Sequence, residues 1–369
     1  MSKEIEVRLY QPGEEKDIVG LLRIAFDTYR KLKNPLEYWK WKFQDTPLGS
    51  TVKVAMVDNR IIGVGHGLLF NVKIGEGIIL GNNNVDFTTH PDYRGMGVYS
   101  RIFEIGPKFR EEQGAEFSYT ISSNPIIINR RNVKVDHTVF PKIVSYMARI
   151  RDVETHLRNR PVTNTYLKKR LTTNPNLVGL GFKSLEAMNK LRKIVKSGKG
   201  PQNDFSIEEV QKFDPRIDAF WGRVKDSCSF SLEKDHRFLN WRYCDPRSGE
   251  FQILQAAQGG DVLGYLVLQT TYDGGYAESR IMDMLTLPNR FDVATALMRR
   301  ACAAVDDRGV NVMYYEVVRG HPYQNIAQRC DFVNTRSGPY IRCVFPDDTY
   351  NVVSESTPDK IQFNYGDSL

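Results

Sequence analysis

The chain repeats one aromatic pattern 200 residues apart, and this repeat limits the possible folds more than any other feature of the sequence. The stretch LEYWKWKFQDTPLG (36–49) aligns with HRFLNWRYCDPRSG (236–249). The matched positions are Trp41 with Trp241, Lys42 with Arg242, Phe43 with Tyr243, Asp45 with Asp245 and Gly49 with Gly249. Further on, VDFTTHP (85–91) matches MDMLTLP (282–288), which places Asp86 over Asp283. Such self-similarity predicts two copies of one fold.

Both copies show the same order of predicted elements. The first has a strand EVRLY, an amphipathic helix within 12–32, a β-hairpin turning at Asp58 and Asn59, a strand NNNVDFTTH, a glycine turn, a helix to about Arg110 and a strand FSYTI. The second repeats this order from FSIEEV to NVMYYEVV. Hairpins make antiparallel neighbours, and strand-helix-strand crossovers make parallel ones. The sequence therefore predicts an α/β class protein with two domains in tandem, each a mixed, mostly antiparallel sheet flanked by helices.

The predicted organisation is a first domain at 1–150, a basic helical connector at 151–202 and a second domain at 203–369. The charge supports this division, because residues 149–200 hold thirteen Lys or Arg against three acids, while the whole chain carries a net charge of +7. A solvated helical face is the favoured explanation, with contact to phosphates as the alternative. Because no aromatic residue interleaves with the lysines from 183 to 199, nucleic acid is not the expected partner.

Cysteine usage and hydropathy give expectations about compartment. The five cysteines are odd in number, lie in the second half and show no CxxC spacing, so neither a disulfide framework nor a metal site is predicted. We find no apolar leader and no run of eighteen apolar residues, so a cytoplasmic protein without a membrane span is expected. The last residues, DKIQFNYGDSL (359–369), are predicted to form a final strand with an acidic, mobile end.

The stretch HPDYRGMGVYSRI (90–102) carries the clearest functional signal. A strand, a glycine-rich turn and a helix bring unpaired backbone N–H groups together at one point, which attracts phosphate. Gly95 and Gly97 would let the main chain approach an anion, and Arg94 could add a charged contact. Neither the Walker pattern nor the Rossmann fingerprint matches this turn.

The element order and the stretch THPDYRGMGVYSRIFEI resemble the GCN5-related N-acetyltransferases (GNAT), whose acyl-CoA motif is Q/R-x-x-G-x-G/A. Arg94 and Gly97 match its first and fourth positions, whereas Tyr99 stands where the motif has Gly or Ala. The resemblance implies that acetyl-CoA is the cofactor. It also implies the contacts: the pyrophosphate on Arg94, Gly95, Met96, Gly97, Val98 and Tyr99, and the pantetheine amides along Phe87, Thr88 and Thr89. Asn124, which follows the next strand, could orient acceptor or pantetheine, or it could cap a turn. The next strand would diverge at FSYTISSNP to open a slot for the thioester.

The second copy has PNRFDVATAL where the first has PDYRGMGVYS. It lacks both glycines and places Asp292 where an anion would bind. The fold can therefore make this turn without glycine, which favours a phosphate-bearing ligand in the first half only. We expect the second half to be degenerate as a coenzyme site.

Candidate catalytic residues follow from the chemistry of acyl transfer to an amine. A base is required near the end of the strand before the glycine turn, where Asp86 and His90 are the candidates, and Tyr119 or Tyr99 could protonate the departing thiolate. Asp86 has a counterpart in the second copy, which favours a structural role, and His90 could be an ordinary turn residue. The paired YWKWKF and FLNWRY stretches could line an acceptor pocket, but we favour core packing, in which the Lys or Arg buries the aliphatic part of its side chain and keeps the charged end in solvent.

The leading hypothesis is an acetyl-CoA-dependent N-acyltransferase that acts by direct attack of a small-molecule primary amine, such as an amino sugar, an amino acid or a polyamine. The alternatives are a tandem GNAT aminoacyl transferase that uses charged tRNA and a non-catalytic acyl-CoA-binding protein. The sequence identifies neither the acceptor nor the oligomeric state.

Overall fold

The computed structural model describes residues 4–122, 138–139, 144–151, 155–156, 159, 204–337, 340–344 and 349–368. Asn124, the predicted connecting helix and most of the basic connector lie outside these residues. The proposals for them stay predictions.

The first half follows the predicted order of elements. It contains β1 (Glu6–Leu9), α1 (Glu15–Ala25), α2 (Asp27–Lys31), α3 (Pro35–Phe43), β2 (Ser50–Val57), β3 (Arg60–Ile74), β4 (Gly77–Thr89), α4 (Val98–Glu104), α5 (Gly106–Glu112), β5 (Phe117–Ser122), β6 (Thr138–Val139) and β7 (Val144–Ile150). The predicted hairpin turn is confirmed, because Asp58 and Asn59 have φ of 50° and 61°, the left-handed pair that a two-residue turn requires. The helix predicted over 12–32 is divided at Phe26, whose backbone is extended.

The second half repeats this order. It contains β8 (Ser206–Val210), α6 (Arg216–Lys225), β9 (Phe230–Leu232), α7 (His236–Tyr243), β10 (Gln252–Gln258), β11 (Asp261–Asp273), β12 (Tyr276–Thr286), α8 (Phe291–Asp307), β13 (Val312–Val318), α9 (Pro322–Arg329), β14 (Val333–Ser337), β15 (Tyr340–Val344) and α10 (Thr349–Glu355). Helix α6 buries Ile217, Phe220, Trp221 and Val224 on one face, which is the amphipathic spacing that predicted it.

Two mixed sheets form, as the sequence predicts. The first has the strand order β1-β2-β3-β4-β5-β15-β6, and β9 pairs with the end of β3. The second has the order β14-β7-β13-β12-β11-β10-β8. The only parallel pairs among the described strands are β4 with β5 and β12 with β13, each joined across a helix. The predicted fold class, two mostly antiparallel sheets flanked by helices, is confirmed.

The two halves exchange strands. Strand β7, at the end of the first half, lies between β13 and β14 in the second sheet, whereas β15 and β9 of the second half join the first sheet. The predicted boundary at residue 150 therefore separates two stretches of the chain, but each sheet contains strands from both stretches.

The repeated tryptophans meet where the halves join. The indole Nε1 of Trp41 donates to the carbonyl of Trp241 at 2.8 Å, and Trp241 Nε1 donates to the carbonyl of Trp41 at 3.0 Å. Their rings stack with centroids 5.0 Å apart. Both tryptophans are buried, so the interpretation of this motif as core packing is confirmed. The expectation for its cations is wrong, because Lys42 and Arg242 are buried as well and do not extend to solvent. Reciprocal bonds of this kind are the mark of a two-fold contact, here between two parts of one chain.

The prediction for the C-terminal segment is wrong. Residues after Thr357 form two short 3-10 helices, Pro358–Lys360 and Tyr365–Asp367, with a single β-bridge between Ile361 and Phe230. Ile361, Phe363 and Asp367 are buried. The acidic end is fixed because Asp367 forms a buried ion pair with Lys234.

Candidate functional site

The glycine turn presents exposed backbone at the start of α4. A 3-10 helix (Pro91–Tyr93) leads into the turn, where Gly95 and Gly97 take left-handed backbone angles, φ 83° and 76°. A Cβ built at either glycine meets no atom within 4 Å, so both face open space. Among the residues that the structure describes, no backbone carbonyl accepts from the amides of Gly95 and Gly97. The turn therefore offers free N–H groups to an anion.

The corresponding turn of the second half is closed to an anion. Its one left-handed residue is Asn289, and the side chain of Asp292 lies in the first turn of α8. That carboxylate accepts from Arg290 at 2.8 Å. The predicted difference between the two copies is therefore visible in the structure.

Strands β4 and β5 separate beside the glycine turn. Their parallel pairing runs from Gly81 with Phe117 to Asn83 with Tyr119 and then stops, although β4 continues to Thr89. Thr88 and Thr89 pair with β3 on the opposite side. The edge of β4 that faces β5 is thus unpaired with β5 after Asn83, which is the divergence that the resemblance implies.

A bulge shapes this end of β4. Val64 lies opposite Thr88 and His66 opposite Val85, so Asp86 and Phe87 together face Gly65. A Cβ at Gly65 would lie 2.5 Å from the Phe87 ring, so only glycine lets that ring pack on the sheet. Phe87 contacts Tyr99 at 5.5 Å between ring centroids. Tyr99, the residue that departs from the motif, also stacks on Phe103 and so packs against two aromatic side chains.

Two side chains hold the carboxylate of Asp86 at the bulge. Its backbone is left-handed, with φ 49°, and its carboxylate accepts from Lys42 Nζ at 2.7 Å and from the Tyr29 hydroxyl at 2.9 Å. Burial raises the pKa of Asp86, but the positive charge of Lys42 and the hydrogen bonds outweigh it, so that the pKa is lowered overall. Asp86 is therefore an ionised partner of Lys42.

The counterpart of Asp86 in the second half binds a different lysine. Asp283 accepts from Lys234 Nζ at 2.8 Å and from Asn364 at 3.0 Å, and Lys234 also pairs with Asp367. Lys234 comes from the loop before α7, whereas Lys42 lies on α3. An aspartate at this position of the repeat thus holds a buried cation in both halves.

The other candidate residues lie close to the separated strands. His90 follows β4 directly, and its Nε2 lies 3.0 Å from a guanidinium nitrogen of Arg60. Tyr119 lies on β5 at the last parallel pair, with its side chain 3% exposed. Sequence reasoning missed the fully buried Asn83 opposite Tyr119, whose amide atoms have no partner among the described residues. The run NNN was interpreted only as part of a strand.

Lys53 was also missed, and its environment is unusual for a lysine. The side chain is 2% exposed on β2, and Nζ lies 5.7 Å from the centroid of the Phe87 ring. No carboxylate among the described residues pairs with it. Burial lowers the pKa of Lys53 to about 8.

Replacing Lys53 with methionine is expected to stabilise the coenzyme-free protein by about 3 kcal/mol at pH 7, because burial destabilises the charged form of Lys53. The pKa falls from 10.5 to about 8, and each unit of pKa shift corresponds to about 1.4 kcal/mol. The folded-state pKa of Lys53 lies below the ordinary lysine value of 10.5, so the unfolded chain binds more protons between pH 8 and 10.5. Wild-type stability therefore rises with pH over that range, and the variant should lose this rise. Urea unfolding at several pH values measures both effects.

The exposed Lys16 provides the control for the loss of one positive charge. If K53M were less stable than the wild type at pH 7, Lys53 would have a partner or a packing role that outweighs its burial.

Among the residues that the structure describes, no group of three or more His, Cys, Asp or Glu side chains could hold a metal ion. No helix within the described part of the chain combines the length and hydropathy needed to cross a membrane.

Comparison with known proteins agrees with this geometry. The family model described as acetyltransferase (GNAT) domain matches residues 6–134, which include the glycine turn and both separated strands. A search of the curated proteins finds no match.

Solved structures resemble the chain over almost its whole length. A probable N-acyltransferase from Enterococcus faecalis has a TM-score of 0.63 at 12% identity, covering 92% of this chain and 72% of its own. A GCN5-related N-acetyltransferase from Anabaena variabilis has a TM-score of 0.61 at 10% identity, covering 92% and 72%. N-myristoyltransferase from Saccharomyces cerevisiae, solved with myristoyl-CoA, has a TM-score of 0.57 at 8% identity, covering 93% and 83%.

At such low sequence identity, these structural similarities show that the folds are alike and do not show a shared function. The family match and the fold agree with each other and with the motif at 94–99. Residues 6–134 therefore match the model of a GNAT acetyltransferase domain, and the chain as a whole has the fold of solved GCN5-related N-acetyltransferases.

Proposed function

We propose that the protein is an N-acyltransferase that takes the acyl group from acetyl-CoA and transfers it to a small-molecule primary amine. The observation that carries this proposal is the combination of an open glycine turn with two strands that separate beside it. A glycine turn with free amides could by itself bind many phosphate-bearing ligands. An unpaired strand edge next to it suits a ligand that continues from a phosphate into a chain of amides.

The same residues that the motif indicates are available to the coenzyme. In the turn from Arg94 to Tyr99, the free amides of Gly95 and Gly97 would bind the pyrophosphate, whereas those of Arg94 and Met96 donate to the carbonyls of Pro91 and Tyr93. Phe87, Thr88 and Thr89 would border the pantetheine. Arg94 and Met96 are exposed, so their side chains leave the turn accessible. We propose no coenzyme site in the second half, because its turn is occupied by the Arg290–Asp292 pair.

The proposed reaction is direct attack in a ternary complex. The nitrogen of the acceptor forms a bond to the thioester carbon, the carbon–sulfur bond breaks, and coenzyme A leaves as a thiol after taking up a proton. The nitrogen loses its extra proton to a base. Holding the two reactants together supplies much of the rate.

The candidate residues differ in how well they suit these steps. Asp86 is ionised but bound to Lys42 and Tyr29, so we propose that it positions the bulge and is not the base. His90 is the better candidate base, since histidine is the side chain that most often acts as a general base and His90 directly follows β4. Tyr119 lies where β4 and β5 begin to separate, next to the expected position of the sulfur, and is the proposed proton donor.

Calorimetric titration with acetyl-CoA, followed by a thiol-release assay over amino sugars, amino acids and polyamines, tests the proposal. We expect acetyl-CoA to bind with one site per chain and at least one class of amine to release thiol. Absence of binding would contradict the proposal and leave the aminoacyl-tRNA alternative. Binding without turnover across the panel would instead support a non-catalytic acyl-CoA-binding protein.

A further inference from the structure

A cavity of about 900 Å³ lies between the two halves, away from the residues of the glycine turn. One wall is formed by α2, α3 and the segment between them, including Lys33, Asn34 and Tyr38. The other comes from the second half, including Arg242 and Phe251. Its volume lies within the range of cavities that hold small molecules. We name it the interdomain cavity.

Arg242 is the feature of the interdomain cavity that requires a partner. The residue is 6% exposed, and its Nε donates to the carbonyl of Gly366 at 3.2 Å. The guanidinium carbon lies 5.3 Å from the Tyr243 ring centroid and 5.8 Å from that of Phe251, within the distance of a cation–π contact. No carboxylate among the described residues pairs with it. A buried charge without an opposite charge is costly unless a ligand supplies one.

The internal repeat explains why this guanidinium is left unpaired. Arg242 occupies the position of Lys42, whose ammonium binds the repeat aspartate Asp86. In the second half the equivalent Asp283 is bound by Lys234, a lysine from another element. The cation at the repeat position has therefore lost its carboxylate and lines the cavity instead.

The other charges around the cavity do not compensate Arg242. Glu37 binds Lys40 at 2.8 Å, and Arg247 is neutralised by Asp45 and Asp245. Lys33 and Glu250 are exposed at the cavity and offset one another. Among the described lining residues, Lys33, Arg242 and Arg247 stand against Glu37 and Glu250, which leaves one positive charge, and Arg242 is the cation without a carboxylate partner there.

From these observations we propose that the interdomain cavity binds a small carboxylate with an aromatic or apolar body. The two terminal nitrogens of a guanidinium form a fork that matches both oxygens of a carboxylate. Tyr38, Phe251 and Tyr365 offer ring surfaces for the apolar part, and Gln269 offers an amide for a further hydrogen bond. This site is separate from the proposed acetyl-CoA site and does not depend on it.

Ligand-observed NMR of benzoate binding tests the proposal, and uncharged benzamide serves as the matched probe. We expect benzoate to bind and benzamide to bind at least about tenfold more weakly, because a hydrogen bond to a charged group is lost. Phenyl phosphate distinguishes a carboxylate site from a general anion site, and it should bind more weakly than benzoate. Equal binding of benzoate and benzamide would overturn the proposal.

Two variants locate the site. R242Q should lose benzoate binding about tenfold or more, whereas R237Q removes the same charge from an exposed position of α7 and should bind as the wild type does. Because R242Q changes a buried residue, N34W serves as a second test: Asn34 is exposed on the opposite wall, and a tryptophan there should fill the cavity and exclude benzoate.

Unchanged benzoate binding in folded N34W would place the ligand elsewhere and overturn the proposal. Acetyl-CoA titration of the same variants separates the two sites. If the proposed function fails, benzoate binding should still depend on Arg242. If the cavity proposal fails, acetyl-CoA should still bind.

Discussion

Replacing Gly97 with valine is expected to lower the affinity for acetyl-CoA by about a hundredfold or more. Gly97 has φ 76°, where a β-branched residue is strained, and a side chain there would project into the open space above the turn. That space is where the pyrophosphate would bind. Titration calorimetry on the purified variant measures the loss directly.

Gly114 provides a matched control, because it is the same kind of glycine in another place. It has φ 72°, it is exposed, and no atom lies within 4 Å of a Cβ built there. G97V and G114V should therefore lose similar stability, roughly 1 to 2 kcal/mol, and only G97V should lose acetyl-CoA binding. Wild-type affinity in a folded G97V protein would show that the coenzyme binds elsewhere.

The glycine turn could be found from the sequence because the chain carries its own comparison. Both copies predict a strand, a turn and a helix at this point, but only the first has Gly95 and Gly97. The structure shows that the second turn is built with one left-handed asparagine, Asn289. Two glycines beyond what the fold needs were therefore a functional signal and not a requirement of chain reversal.

The pairing of strands could not be predicted in the same way. Neither β7 nor β15 was identified as a strand from the sequence, and a pattern of alternating apolar residues does not say which sheet a strand joins. Their exchange between the two sheets depends on long-range contacts that have no local pattern. The sequence therefore predicted two sheets correctly and gave no indication of how the halves are linked.

The environment of Asp86 also lay beyond the sequence. Its role depends on the β4 bulge, which turns the carboxylate toward Lys42 and Tyr29 on α3 and α2. A one-residue difference in register would send the side chain to the other face of the sheet. The spacing of 44 residues between Lys42 and Asp86 carries no signal of this contact.

Replacing Lys234 with methionine is expected to destabilise the protein by about 3 to 5 kcal/mol, because it leaves buried carboxylates without a cation. Lys234 is 1% exposed and binds both Asp283 and Asp367, which are 0% and 2% exposed. Chemical unfolding at pH 8 measures the loss. Burial already raises the pKa of Asp283, so without Lys234 the carboxylate should take up a proton more readily, and the loss should be smaller at pH 5.

The equivalent change in the first half gives the matched control. Lys42 binds one carboxylate, Asp86, whose side chain is 15% exposed and which keeps the hydroxyl of Tyr29 as a donor. K42M should therefore cost less stability than K234M, since one partly solvated charge is left unpaired and not two buried ones. The double change K234M/D283N should recover part of the loss by removing one of those charges. If K234M cost no more than K42M, the C-terminal segment would not be held by its ion pair, and the fixed position of Asp367 would have to come from the packing of Ile361 and Phe363 instead.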